Sequence, residues 1–175
     1  IMQFIEIEIT KEMIEEAKRK AEKLGKLKNS ITRGEGNIVG YLGELVAQKV
    51  IGGEIKDTRD YDILTEDGVK WDVKTKKCSS PPQSHFECSV TNYNTTQKCD
   101  KYIFVRVLKD HSKGYICGEL PHDEYYKKAT FIEQGQFDPS NKWRALCDCW
   151  NVAISDLNEI NTQDTMPSDN AEVSA

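Results

Sequence analysis

A carboxylate and an ammonium two residues apart open the case for chemistry. Residues 69–76 read Val-Lys-Trp-Asp-Val-Lys-Thr-Lys. Alternate residues of an extended strand share a face. Lys70, Asp72, Lys74 and Lys76 therefore stand on one side, and Val69, Trp71, Val73 and Thr75 on the other. Asp72 and Lys74 are then ~7 Å apart along the strand. That pair suits hydrolysis of a phosphate ester. The carboxylate binds a divalent cation, and the lysine orients the attacking water and meets the charge that builds on the phosphate.

A divalent cation needs further hard oxygen ligands. Glu66-Asp67-Gly68 ahead of this strand is a hairpin signal, with Gly68 suited to a positive φ. As a three-residue loop it sets Thr65 against Val69 and Asp62 against Asp72, with Cβ atoms ~5 Å apart. A two-residue turn would set Asp62 against Val73 instead. Carboxylates that close repel one another, and Mg2+ or Mn2+ between them removes the repulsion. The carbonyl of Val73 is a further ligand. Asp60 shares a face with Asp62 and is its rival. The third acid is Glu44, set in a run of apolar residues where a charge is costly unless paired. It can approach the same metal or its water. Gln48 lies one turn further on.

The elements that must carry these residues are legible as patterns. Phe4 to Thr10 alternates as a half-buried strand. Thr10 caps a helix to about Leu24, with Ile14, Ala17, Ala21 and Leu24 as its apolar stripe. Glu15 with Arg19 and Glu16 with Lys20 are spaced as i,i+4 pairs on its wet face. Residues 26–36 read as a mobile, positively charged loop. The helix that carries Glu44 runs from about Asn37 to Ile51, with Gly40, Gly43 and Ala47 small enough to approach a sheet. Gly52-Gly53 ends it. Strands follow at 53–57, 60–65, 69–76, 85–91, 102–108, 114–120 and 143–154. A turn with a short helix lies in 92–100, and a helix in 121–129.

Glu44 … Tyr61-Asp62 … Asp72-Val73-Lys74 resembles the motif of the PD-(D/E)XK nuclease superfamily, the restriction-endonuclease-like fold. Asp-x-Lys alone is common on wet strand faces. The order of a Glu in an apolar helix, a short strand ending in Asp, a glycine hairpin and Asp-x-Lys is what makes it specific. Tyr61 stands where the family has a nominal Pro, and Asp72 where Glu is commoner. The resemblance covers about residues 37–108. It implies an α/β domain with a central mixed sheet flanked by helices, in the order α-β-β-β-α-β. It also implies Mg2+-dependent (or Mn2+-dependent) hydrolysis of DNA by water without a covalent intermediate. Glu44, Asp62, Asp72 and Lys74 would be catalytic, with Glu44, Asp62, Asp72 and Val73 at the metal. Compact members occur in prokaryotes and their phages, which gives the cytoplasm of a prokaryotic or phage-infected cell as the expected location. Many members pair to cut both strands, so a homodimer is admitted, although no dimer surface is legible. Gln97 followed by Tyr102 only approaches the Gln-xxx-Tyr element of the RecB-like branch, and the cysteine spacing does not match its iron–sulfur nucleases.

DNA contact is expected from Arg33, Lys70, Lys76, Lys77 and Tyr93, with hydroxyls and amides of 78–84 and 91–96 lining a groove. Taken over the whole chain, the net charge of −5 opposes this. But residues 151–175 hold Asp156, Glu159, Asp164, Asp169 and Glu172 with no Lys or Arg, so the first 150 residues are neutral. Residues 161–175, polar and without aromatics, are expected to be a disordered acidic tail behind a single domain of residues 1–160. With no strong basic field, DNA binding should be weak at physiological salt.

No apolar run approaches the ~18 residues of a membrane helix. The first residues lack the basic-then-apolar pattern of a signal peptide, so the six cysteines are expected as free thiols. Two other function classes compete. One is a catalytically silent DNA-binding module on the same fold. The other is a zinc-stabilised interaction protein using Cys78, His85, Cys88 and Cys99.

Overall fold

Helix α1 (Lys11–Leu24) begins where Thr10 turns its hydroxyl onto the Met13 amide at 3.2 Å. It buries Met13 and Ala17 and leaves its charged face in water. Helix α2 (Glu35–Ile51) has almost no wet side past Gly40, and Leu42, Val46, Ala47 and Val50 are fully enclosed. This computed structural model describes residues 4–24, 35–139 and 141–160. Arg33, most of the loop 26–36 and the tail 161–175 lie outside the described residues.

Both helices cover one face of a six-stranded mixed sheet. Its strands are β1 (Ile5–Glu8), β2 (Glu54–Ile55), β3 (Ile63–Leu64), β4 (Lys70–Cys78), β6 (Lys101–Leu108) and β7 (Lys113–Pro121), in the order β1-β7-β6-β4-β3-β2. β4 and β6 are parallel, and every other neighbouring pair is antiparallel. Ile63, Trp71, Ile103, Val105, Val107 and Ile116 meet the helices in one core. On the opposite face Tyr102, Phe104, Cys117 and Leu120 pack under a second, three-stranded sheet and helix α3 (His122–Lys128). That sheet is β5 (Glu87–Thr91), β11 (Cys149–Ala153) and β8 (Thr130–Ile132), in the order β5-β11-β8. Tyr125 of α3 ties it down, donating its hydroxyl towards the carbonyls of Cys88 at 2.7 Å and Trp150 at 2.6 Å. Short strands β9 (Phe137–Asp138) and β10 (Trp143–Arg144) make a separate pair.

The chain is thus mixed α/β, with one difference from the expected order. The crossover between the parallel strands β4 and β6 contains no α-helix. It runs through β5 and a single 3-10 turn, Asn92–Asn94. Thr91-Asn92-Tyr93-Asn94-Thr95 is polar throughout and offers no apolar stripe to bury a longer helix. Residues 143–154 are likewise not one strand, since 145–148 separate β10 from β11. No helix among the described residues is long and apolar enough to cross a membrane.

Two glycines set the geometry of the site. Gly68, at φ 82°, makes the three-residue turn between β3 and β4. Gly43 is the point where α2 touches β4, and a Cβ there would overlap the Thr75 side chain. Gly40 has a different use from the one its spacing suggested. Nothing lies within 4 Å of its missing Cβ, and it opens onto a cavity instead of touching the sheet.

Candidate functional site

The hairpin takes the three-residue register. Ile63 pairs with Trp71 and Leu64 with Lys70, and the Thr65 amide donates to Val69. One residue before β3, the Asp62 amide still donates to the Trp71 carbonyl at 2.8 Å. There the two strands part. The next amide of β4, Val73, finds the Asp62 carboxylate (Oδ2, 2.8 Å) in place of a backbone carbonyl. Asp62 is thereby fixed in the fork between the strands.

Glu44 reaches this fork from α2, which Gly43 lets close to β4. A third acid, absent from the motif, comes from the loop between β2 and β3. Asp57 has φ 49°, and the reversal through Thr58–Tyr61 folds it back so that the amides of Lys56 and Asp57 both donate to the Asp62 carbonyl. Carboxylate oxygens of Glu44, Asp57 and Asp62 lie within 4.8 Å of one another. Glu44 and Asp62 border a cavity of about 210 Å³, lined also by Asn37, Gly40, Tyr41 and Val73.

So dense a set of acids cannot all stay charged. Burial first, then a hydrogen bond with Asp57 and repulsion from Asp62, push the Glu44 pKa up to about 10. Burial and then the charge of Asp72 raise Asp62 to about 7, against the pull of the Val73 amide and Lys74. Burial also works against the Asp57 charge, but hydrogen bonds from Glu44 and Lys20 outweigh it and hold Asp57 below its ordinary value. Lys20 of α1 makes that contact at 3.1 Å, so it serves this site and not the helix pair with Glu16 that its spacing suggested. Glu44 keeps one oxygen, Oε1, buried without a hydrogen-bond partner.

Asp72, only 3% exposed, is next in the row. Its Oδ2 lies 2.7 Å from the Lys74 ammonium, a contact of charge more than of hydrogen-bond direction. Gln97 bridges the two. Its carbonyl accepts from Lys74 at 3.1 Å, and its amide nitrogen donates to Asp72 at 3.2 Å and to the Arg59 carbonyl at 3.1 Å. The Lys74 ammonium also lies 5.8 Å from the Tyr102 ring centre. Glu44 thus meets Asp62 and Asp57, while Asp62 adjoins Asp72, which pairs with Lys74 and Gln97, so the four expected residues stand in a row and Asp72 lies outside the close carboxylate group. Gln97 was visible in the sequence only as part of an imperfect Gln-xxx-Tyr spacing. Asp57 carried no signal beyond being an acid near a turn.

Asp60 does not join them, because its carboxylate accepts from the Lys98 amide at 3.2 Å. Gln48 turns away too, donating to the Gly53 carbonyl. Cys78, His85, Cys88 and Cys99 form no metal-capable group among the described residues, and all six cysteines are free. Cys88 lies in the second core, where burial takes its thiol far above the usual range. Of the residues expected to touch DNA, Lys70 sits 5.5 Å from the Tyr61 ring centre, Lys76 and Lys77 are exposed, and Tyr93 is 85% exposed.

Comparison with models of known protein families finds no match, and a search of curated proteins finds no significant relative.

Proposed function

We propose that the chain is a metal-dependent nuclease that hydrolyses DNA phosphodiester bonds, built on the PD-(D/E)XK plan with a restriction-endonuclease-like core. One observation carries the reading. Carboxylates from separate segments meet within 4.8 Å in the fork of two strands, beside Asp72 and Lys74.

The residues fit a divalent cation. Their oxygens are hard donors, burial and then mutual repulsion hold protons on the cluster, and Glu44 Oε1 has no partner. Glu44, Asp62 and Asp72 would hold the cation with the carbonyl of Val73, and Asp57 stands close enough to Glu44 and Asp62 to join them. When bound, Mg2+ or Mn2+ would supply Lewis acidity to the phosphate and lower the pKa of a bound water.

The side chains do the rest. Asp72 and Gln97 fix the Lys74 ammonium, so that it is already in place to hydrogen-bond the water and the phosphate oxygens. Asp62 is clamped by the Val73 amide and cannot swing away. Gly40 and Tyr41 leave the open side through which a phosphate can approach. Lys70, Lys76, Lys77 and Tyr93 are exposed and would meet the flanking DNA backbone.

The test is cleavage of linear and supercoiled DNA with Mg2+ or Mn2+ and with chelator. Wild type should cut only with metal. Asp72→Asn should lose about 100-fold or more in rate while keeping its circular dichroism spectrum. Binding without turnover in every metal would move the reading to a silent DNA-binding module.

A further inference from the structure

The polar face of β4 continues past Lys74 to Lys76, and the register across β4 and β6 places Lys76 beside Arg106. Two cations side by side are unfavourable, and the carboxylate of Glu87, which lines the same cavity, offsets Lys76 only in part. Among the described residues no ion pair includes either one. Arg106 is only 6% exposed. Its Nη2 donates to the Glu87 carbonyl at 2.8 Å, and the guanidinium lies 5.1 Å from the Phe86 ring centre. A buried guanidinium relieved by a carbonyl, a ring and the Cys117 sulfur, with no ion pair, is costly, and an anion is what would offset it.

A cavity of about 300 Å³ opens beside these cations, lined also by Phe86, Glu87, Asn141, Lys142 and Trp143, so that three cations face one carboxylate there. The Lys76 ammonium stands 5.7 Å from the Trp143 ring centre. Asn141 donates from Nδ2 to Asp138 at 2.9 Å, which leaves its Oδ1 buried without a donor. Positive charge, an indole ring and an unused amide acceptor in one small cavity match a phosphate, a base and an N–H donor on the base edge. The volume is at the low end for small-ligand pockets, so it admits one nucleotide and no duplex. Lys76 follows Lys74 on the same strand face at ~7 Å, the axial rise of about two nucleotides.

We propose that this cavity seats one unpaired nucleotide of a DNA strand, its phosphate on Lys76 and Arg106 and its base against Trp143. The proposal rests on the nuclease reading for its choice of ligand, because it places the nucleotide next to the strand face that carries Lys74. It makes the preferred substrate single-stranded, or a duplex with an unpaired end, since a base stacks on a side chain only outside the helix.

The experiment is fluorescence anisotropy of a dye-labelled oligothymidylate on the full chain, with Ca2+ replacing Mg2+ to suppress turnover. Trp143→Ala should weaken binding by about 5- to 100-fold, and Trp143→Phe should stay near wild type because a ring still stacks. Lys76→Gln should lower the salt slope of binding by about 0.7. Inorganic phosphate and thymidine monophosphate serve as competitors. Displacement by either at the oligonucleotide's own concentration would identify a free anion or free nucleotide as the ligand and overturn the strand assignment. Binding by Trp143→Ala within about two-fold of wild type would overturn the proposal. The two readings fail separately. A chain that never cuts DNA but loses binding on Trp143→Ala keeps the subsite and loses the nuclease. A chain that cuts DNA with Trp143→Ala binding unchanged does the reverse.

Discussion

Glu44 is buried among other acids, and that sets its protonation. With its pKa pushed up to about 10, it is neutral at pH 7 in the absence of metal and donates to Asp57. Glutamine has the same shape and can donate the same bond. Glu44→Gln should therefore raise the metal-free stability at pH 7, because no proton has to be taken up on folding, and change it little near pH 4. It should also abolish most of the rise in Tm that Mg2+ or Mn2+ gives the wild type, because it removes a charged oxygen ligand. Differential scanning fluorimetry with and without metal reads both effects. An undiminished metal shift in the variant would take Glu44 out of the metal site. Of the residues around it, Asp62, Asp72 and Lys74 were legible because strand alternation and a glycine turn fix which side chains share a face. Asp57 was not, because a positive φ in an irregular loop brings it in and no periodicity records that.

At the scale of elements, the site depends on how closely α2 lies on β4. Gly43 permits this, since Thr75 occupies the place a Cβ would take. Gly43→Ala should push the helix off the strand and cost about 1–3 kcal/mol, measured by urea unfolding. It should also weaken metal binding, because Glu44 moves with the helix. Gly40→Ala meets no atom within 4 Å and should be neutral or mildly stabilising by the same measurement. Equal losses at the two positions would contradict this assignment of roles. The helices and long strands were readable from their apolar periods, and so was β6, buried on both faces. What stayed hidden were elements without a period of their own. β8 and β9 are three and two residues of aromatic-bearing chain that become strands only because β11 and β10 lie alongside. The helix expected in 92–100 shrinks to one 3-10 turn for the same reason, since nothing apolar there gives it a face to bury.

For the whole molecule the acid cluster links stability to pH and metal. Asp62 at about 7 and Glu44 at about 10 hold protons in the fold that the unfolded chain gives up near pH 4. A raised folded-state pKa contributes stability that is complete below the unfolded value and is lost as pH rises through the folded one. Metal-free protein should therefore lose stability from about pH 5 to pH 8, through Glu44 across the whole window and through Asp62 up to about pH 7. Asp57 has the opposite sign, and its contribution disappears only as pH falls below the ordinary carboxylate range. Added Mg2+ should stabilise more at pH 8 than at pH 5, because cation replaces protons on the same oxygens. Thermal unfolding across that range, with and without metal, gives the comparison. A metal shift independent of pH would mean that the cation binds elsewhere. The overall charge of −5 does not stand in the way of a DNA substrate, because the five surplus acids lie in the last 25 residues and two of them, Asp156 and Glu159, are the only ones within the described chain.

The most direct test of the nuclease reading is the rate of Mg2+-dependent DNA cleavage by Lys74→Ala beside wild type. Lys74 is partly exposed, so its loss should leave the fold in place. The expected result is metal-dependent cutting by wild type and a loss of about 100-fold or more in the variant, at unchanged circular dichroism. Cleavage by Lys74→Ala at the wild-type rate would contradict it.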